Sequence, residues 1–146
     1  MYVTMTQELR ASLARDGLDG DELIERFTKW KSGDEYGSYY FGKDSAYVRP
    51  HVDGKPYQLR HVHTVPLQDQ DALRRWKTVY RRRGRKTSDR VLVYTADGKD
   101  GFLLIYVLEE PTAHEIANMK TVEDTEIMEG FAEVAAAFID NGDVIA

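Results

Sequence analysis

Apolar residues recur at helical spacing early in the chain, at strand spacing in its middle and at helical spacing again toward its end. "MYVTM" has the alternation of a short first strand. From Thr6 the pattern turns helical, with Leu9 and Leu13 sharing a face with Met5. "DGLDGDE" interrupts it before a second stripe of Leu23, Ile24, Phe27 and Trp30, which Asp19 or Asp21 can cap and Gly33 can end. The two stripes predict a helical hairpin. Residues 34–56, rich in Gly, Pro, Asp and Tyr, have no sustained period and are expected to form a long loop. "LRHVHTV" alternates and is β-branched, so it predicts a strand. Leu73, Trp76, Val79 and Tyr80 then predict a short helix ending near Gly84. "RVLVYTADGKDGFLLIYVLEE" is the pattern of a β-hairpin with glycines in its turn. After Pro111, Ile116, Met119, Ile127, Met128, Phe131, Val134, Ala135 and Phe138 predict a helical region in two pieces separated by "KTVEDTE". Thr125 is expected to start the second piece and Gly142 to lie just past its end. The order β–α–α–β–(short α)–β–β–α, with antiparallel strands and packed helices, makes this an α+β domain.

Length and composition narrow the class. At 146 residues, 42% hydrophobic and 31% charged, the chain fits a single domain over 1–146. It has no cysteine, which removes disulfides, thiolate metal sites and thiol nucleophiles, and points to a reducing compartment, the cytoplasm. "MYVTMTQELR" lacks a signal-peptide pattern, and the longest apolar run, "FLLIYVL", has the length of a buried strand, so no membrane is expected.

The net charge of −5 hides a division along the chain. Residues 43–90 carry thirteen Lys/Arg against five Asp/Glu, whereas residues 91–146 carry two against twelve. A basic block between acidic flanks suits an anion-binding surface, because the local field recruits phosphate; the alternative is that the flanks neutralise it within the fold.

Three features bear on chemistry. His61 and His63 lie two residues apart on a strand and so face the same way. They fit an acid/base or phosphate-contacting pair, two ligands of a zinc site completed by His114, His51 or a carboxylate, or packing residues. "RRRGRK", Arg81 to Lys86, follows Trp76 and Tyr80 and combines phosphate-binding charge with aromatic faces. A solvated arginine face, or a dock for an acidic partner, would give the same letters. "YYFGKDSAY" offers Lys43 and Asp44 among tyrosines without forming a phosphate loop. A nucleophile elbow and a dinucleotide fingerprint are both missing, which leaves small-molecule metabolism unsupported.

The succession of "FGKD" with Tyr47, "HVH", "RKTSD", "LVY", "FLLIYVL", "AHEIA" and "FAEVAAAF" resembles the YafO family of type II toxin–antitoxin toxins, over about residues 38 to 138. That resemblance implies a RelE-like fold, with an N-terminal helical hairpin and a C-terminal helix packed on a small, mainly antiparallel sheet. It further implies a ribosome-dependent endoribonuclease that cuts translated mRNA, inhibits translation, uses no metal or other cofactor and is held inactive by a cognate antitoxin. In this family's chemistry one group activates the 2′-hydroxyl, another protonates the leaving 5′-oxygen, and cations offset charge on the phosphate. The residues implied for cleavage are His61, His63, Arg85 and His114. Those expected to contact or orient RNA are Lys43, Asp44, Tyr47, Trp76, Tyr80, Arg81, Arg82, Arg83 and Lys86. The chain departs from the family pattern in ending "AFIDNGDVIA", without basic residues after the "AF", and in a longer stretch between Trp76 and Leu92. A non-catalytic RNA-, ribosome- or partner-binding module of the same fold is the alternative.

Overall fold

A computed structural model describes all residues, 1–146. The chain runs β1 (Tyr2–Met5), α1 (Gln7–Arg15), α2 (Gly20–Ser32), β2 (Phe41–Ala46), β3 (Leu59–Thr64), α3 (Gln70–Arg81), β4 (Val91–Ala96), β5 (Gly101–Leu108), α4 (Ala113–Ala117) and α5 (Val122–Asn141). A 3-10 turn spans Glu35–Gly37. The strands form one open sheet in the order β1-β5-β4-β3-β2, antiparallel except where β1 joins β5. The architecture is α+β, with a mostly antiparallel sheet and five helices.

Helices cover both faces of this sheet, and strand alternation decides which residue meets which layer. On one face Val62, Leu92, Tyr94 and Leu104 pack with Leu9, Leu13, Leu23, Phe27 and Trp30 of the α1–α2 hairpin. On the other, Leu59, Val91, Val93, Leu103 and Ile105 pack with Met128, Ala132, Ala135 and Phe138 of α5. Burial on both sides is why β4 and β5 are apolar runs. Thr6 caps α1 by accepting from Leu9 N–H at 3.1 Å, and its hydroxyl donates to the Ile105 carbonyl at 2.7 Å, fastening the hairpin to β5. Asp19 caps α2 and Gly33 ends it, as the sequence implies. In the β4–β5 turn, Asp97 Oδ1 accepts the amides of Lys99, Asp100 and Gly101 at 2.8–3.1 Å.

Two expectations are corrected. Residues 34–56 are not all loop, because Phe41–Ala46 form edge strand β2 on β3. A bulge between Phe41 and Asp44 breaks its alternation, and an edge strand needs few apolar residues, so the pattern was hidden. The C-terminal helix starts at Val122 rather than near Thr125, since Thr121 accepts the amide of Asp124 at 3.0 Å. Gly142, in the left-handed region at φ 73°, ends it as expected.

Candidate active site

β2 and β3 lie side by side, with Ser45 opposite His61. Alternation sends Lys43, Ser45 and Tyr47, together with His61 and His63, to the face that carries α5, and sends Asp44 and Arg60 to the other. Those five side chains form one side of an open cleft of about 920 Å³. Arg75 of α3, the Thr87–Asp89 segment, Glu110, and Ala113 and His114 of α4 complete its lining.

Both histidines are half-buried and held by specific contacts. The ring of His61 stacks on Tyr47, centroids 4.0 Å apart and 18° from parallel, and its Nε2 lies 3.1 Å from Ser45 Oγ. Its Nδ1 is buried without a partner. Burial, reinforced by the neighbouring His63, lowers its pKa to about 4, so His61 is neutral at neutral pH and shares a hydrogen bond with the Ser45 hydroxyl. Burial also lowers the pKa of His63, while its backbone contact to Ser88 opposes the shift. His63 Nδ1 lies 2.6 Å from the Ser88 carbonyl oxygen and 3.0 Å from the Ser88 amide nitrogen. It can donate to the first when protonated and accept from the second when bare, so the same backbone unit serves either state.

The carboxylates of the cleft are committed to backbone amides. Glu110 accepts from Leu67, Gln68 and Asp69 at 2.6–3.0 Å, which anchors the start of α3. Asp69 caps that helix, accepting from Asp71 and Ala72. Asp89 accepts the His114 amide at 2.7 Å and thereby holds α4 next to the segment that holds His63. No carboxylate of α5 lines the cleft. Lys43 and Arg75 are exposed there, and neither forms an ion pair. The result is a histidine cleft in which Lys43 and Arg75 stand free of ion pairs while Asp69, Asp89 and Glu110 are turned to backbone amides, an arrangement that can set a phosphate between the two cations and the proton-transfer groups. His, Asp and Glu side chains form no group of three or more that could hold a metal ion.

A family model described as "Toxin YafO, type II toxin-antitoxin system" matches residues 28–140. The chain belongs to the YafO toxin family. Membership in a type II toxin–antitoxin system implies a toxin role and a cognate antitoxin as partner. Comparison with curated proteins and with solved structures gives no match. No helix of this YafO-family chain is long and apolar enough to cross a membrane.

The fold distributes the remaining expected site residues unevenly. Arg85 does not line the histidine cleft of the YafO-family chain; it lines a smaller adjoining recess, and Lys43 lines both. Asp44, expected to orient RNA, accepts from Tyr94 Oη at 2.6 Å and pairs with Lys31 and Arg60 at 3.0 and 3.3 Å, away from the histidine cleft but in the lining of that recess. Trp76 and Lys86, expected on an RNA-facing surface, are each 1% exposed. Trp76 Nε1 donates to the Tyr39 carbonyl at 2.8 Å, and the Lys86 ammonium donates to Ser38 while lying over the Trp76 and Tyr80 rings. Tyr80 is half-buried against Tyr39, and Tyr47 is buried on His61. Arg81, Arg82 and Arg83 are exposed at the end of α3, Arg83 pairing with Asp34.

The basic block is therefore not one surface, since Lys86 and Arg90 are internal and Arg60, Arg74 and Arg83 are ion-paired. Sequence reasoning missed Ser45, Arg75, Ser88 and Glu110. Arg75 had a signal, as a basic residue on the predicted helix beside Trp76, whereas Ser45 had none because the sequence pattern hides strand β2. Glu110 and Ser88 act through backbone contacts across more than twenty residues, which no local pattern encodes.

Proposed function

We propose that this toxin is an endoribonuclease that cuts mRNA on the translating ribosome, and that its fold is RelE-like. The observation that carries this reading is the convergence of His61, His63 and His114 with the unpaired cations Lys43 and Arg75 on one cleft. In the proposed step the 2′-oxygen bonds to the adjacent phosphorus as the bond to the 5′-oxygen breaks. His63 takes the 2′-hydroxyl proton on Nε2, while the Ser88 carbonyl accepts from Nδ1–H and stabilises the imidazolium that forms. His114 gives a proton to the leaving 5′-oxygen. Lys43 and Arg75 offset charge growing on the phosphate, with Arg85 acting from the adjoining recess. His61, neutral and hydrogen-bonded to Ser45, stands beside His63 as a positioning residue of the cleft.

The test is cleavage of a defined mRNA by purified protein, mapped by primer extension with and without ribosomes, with EDTA controls that leave ribosomes intact. Ribosome-dependent cuts that disappear in His63→Ala and fall sharply in His61→Ala are the expected result. Unchanged cutting in both folded variants would return these histidines to packing roles.

Three observations on His61 favour a second reading. The Tyr47 stack, the lowered pKa and the Ser45 bond are what a structural histidine would also display. In that case the protein binds RNA or a partner without cutting. Growth arrest on expression without antitoxin, together with mapped cuts, separates the two.

A further inference from the structure

The recess beside the histidine cleft has a construction of its own. Gly42 makes it possible. A Cβ on Gly42 would lie 2.2 Å from the Lys86 carbonyl oxygen, so only glycine lets the segment after α3 run this close to β2. The Lys43 amide donates to that same carbonyl at 2.8 Å, and the contact sets Arg85 beside Lys43. The 3-10 turn Glu35–Gly37 supplies another wall. Asp34 caps this turn by accepting the Tyr36 amide at 3.0 Å, and it also pairs with Arg83, which ties the turn to the end of α3.

Three features of the recess point to a ligand. Tyr36 is 55% exposed although it belongs to a tethered turn. Arg85 is exposed and unpaired beside it, Lys43 is the one residue shared with the histidine cleft, and the carboxylates of the lining, Glu35 and Asp44, are both paired with Lys31. The two buried side-chain nitrogens without a partner, Trp30 Nε1 and His61 Nδ1, belong one to the lining of each cavity. Unsatisfied buried polar groups are uncommon and collect at functional sites.

We propose that the recess is a nucleotide subsite for single-stranded RNA, continuous with the histidine cleft. The strand crosses from the cleft over Lys43, a neighbouring phosphate meets Arg85, and the attached base stacks on Tyr36. The proposal rests on the cleft being the ribonuclease centre and extends it by one nucleotide position. A duplex hides its base faces, so this subsite selects single strands; an aromatic face accepts any base, so it adds affinity with little sequence preference.

The experiment is a fluorescence-anisotropy titration of the full-length protein with a labelled single-stranded oligonucleotide of 2′-O-methyl riboses, which cannot be cut. A duplex of the same sequence serves as control, and salt is varied. Tyr36→Ala is expected to weaken single-strand binding about fivefold or more, Tyr36→Phe to stay within about twofold, and the duplex to be indifferent to both. Arg85→Ala is expected to reduce the dependence of log affinity on log salt by about 0.7. Wild-type affinity in Tyr36→Ala, equal losses in the Ala and Phe variants, or no binding by the folded wild type would each overturn the subsite. Ribosome-dependent cleavage is scored separately: cuts retained with Tyr36-independent binding remove the subsite and leave the ribonuclease reading intact. Tyr36-dependent binding without cuts by the wild type removes the ribonuclease reading instead and leaves the recess as an RNA-binding site.

Discussion

Tyr47 lies flat against His61, 4.0 Å between ring centres, and closes one side of an imidazole whose Nε2 is bonded to Ser45. The stack ties the residue after β2 to β3 and shields one face of His61 from water, so one contact supports the sheet edge and favours the neutral form of a cleft residue. The same burial pushes the Tyr47 hydroxyl pKa upward. His61 faces His63, and Asp44, Arg60 and Lys43 are the other charges that act on it.

This arrangement predicts a pH-dependent stability. The folded-state pKa of about 4 lies below the ordinary 6.5, so between these values the unfolded chain holds a proton that the folded chain does not. The contribution is full above 6.5 and is lost as pH falls toward 4, a change on the order of 3 kcal/mol. His61→Phe keeps an aromatic face for Tyr47 and cannot titrate. Urea unfolding of both proteins at pH 7.5 and 4.5 should show a smaller acid loss for the variant; equal losses would mean that His61 is not the group responsible.

Arg75 and Arg81 stand on one helix, yet only Arg75 lines the cleft. Arg75→Ala is expected to lower the cleavage rate by about 100-fold, the usual scale for removing one stabilising donor. Arg81→Ala should cost little, and stability should move by less than about 0.5 kcal/mol in either case, since both side chains are exposed. Cleavage time courses with translating ribosomes decide it, and equal effects of the two changes would count against the cleft.

Glu110 holds the loop before α3 by accepting three amides. Glu110→Gln removes the charge and turns part of the group into a donor facing donors, at a cost of about 2–3 kcal/mol. Hydrogen exchange at the amides of Leu67, Gln68 and Asp69 should accelerate in the variant. Unchanged exchange there would show that the loop has other support.

Trp76 separates a packing role from a stacking one. Its burial and its bond to Tyr39 predict that Trp76→Ala destabilises the protein by about 3–5 kcal/mol. Denaturant titration measures this directly. A stable variant with impaired RNA binding would restore the surface role expected from the sequence.

Much of the fold was legible because its signals are local. The α1–α2 hairpin, the β4–β5 hairpin, the strand carrying His61 and His63, and α3 all follow from apolar period and end residues such as Asp19, Gly33 and Gly142. Strand β2 was not, because its bulge and its polar edge position erase the alternation. That omission carried over to the site: without a strand at 41–46, Lys43 and Asp44 could not be assigned to opposite faces. Trp76 and Lys86 misled for a related reason, since a basic, aromatic helix end has the same letters whether it faces solvent or folds inward over Ser38 and Tyr39.

By itself the sequence determined the α+β class, the order of the elements other than β2, the shared orientation of His61 and His63 and the excess of positive charge in the central block. Each depends on neighbours within a turn or a strand, or on a count of charges. Tertiary structure alone decided which cations remain free, which carboxylates are spent on backbone amides, and that α3, α4 and the Thr87–Asp89 segment meet His61 and His63 at one cleft. Those outcomes depend on contacts between residues far apart in the chain, where burial and hydrogen-bond geometry, rather than residue type, set what a side chain can do.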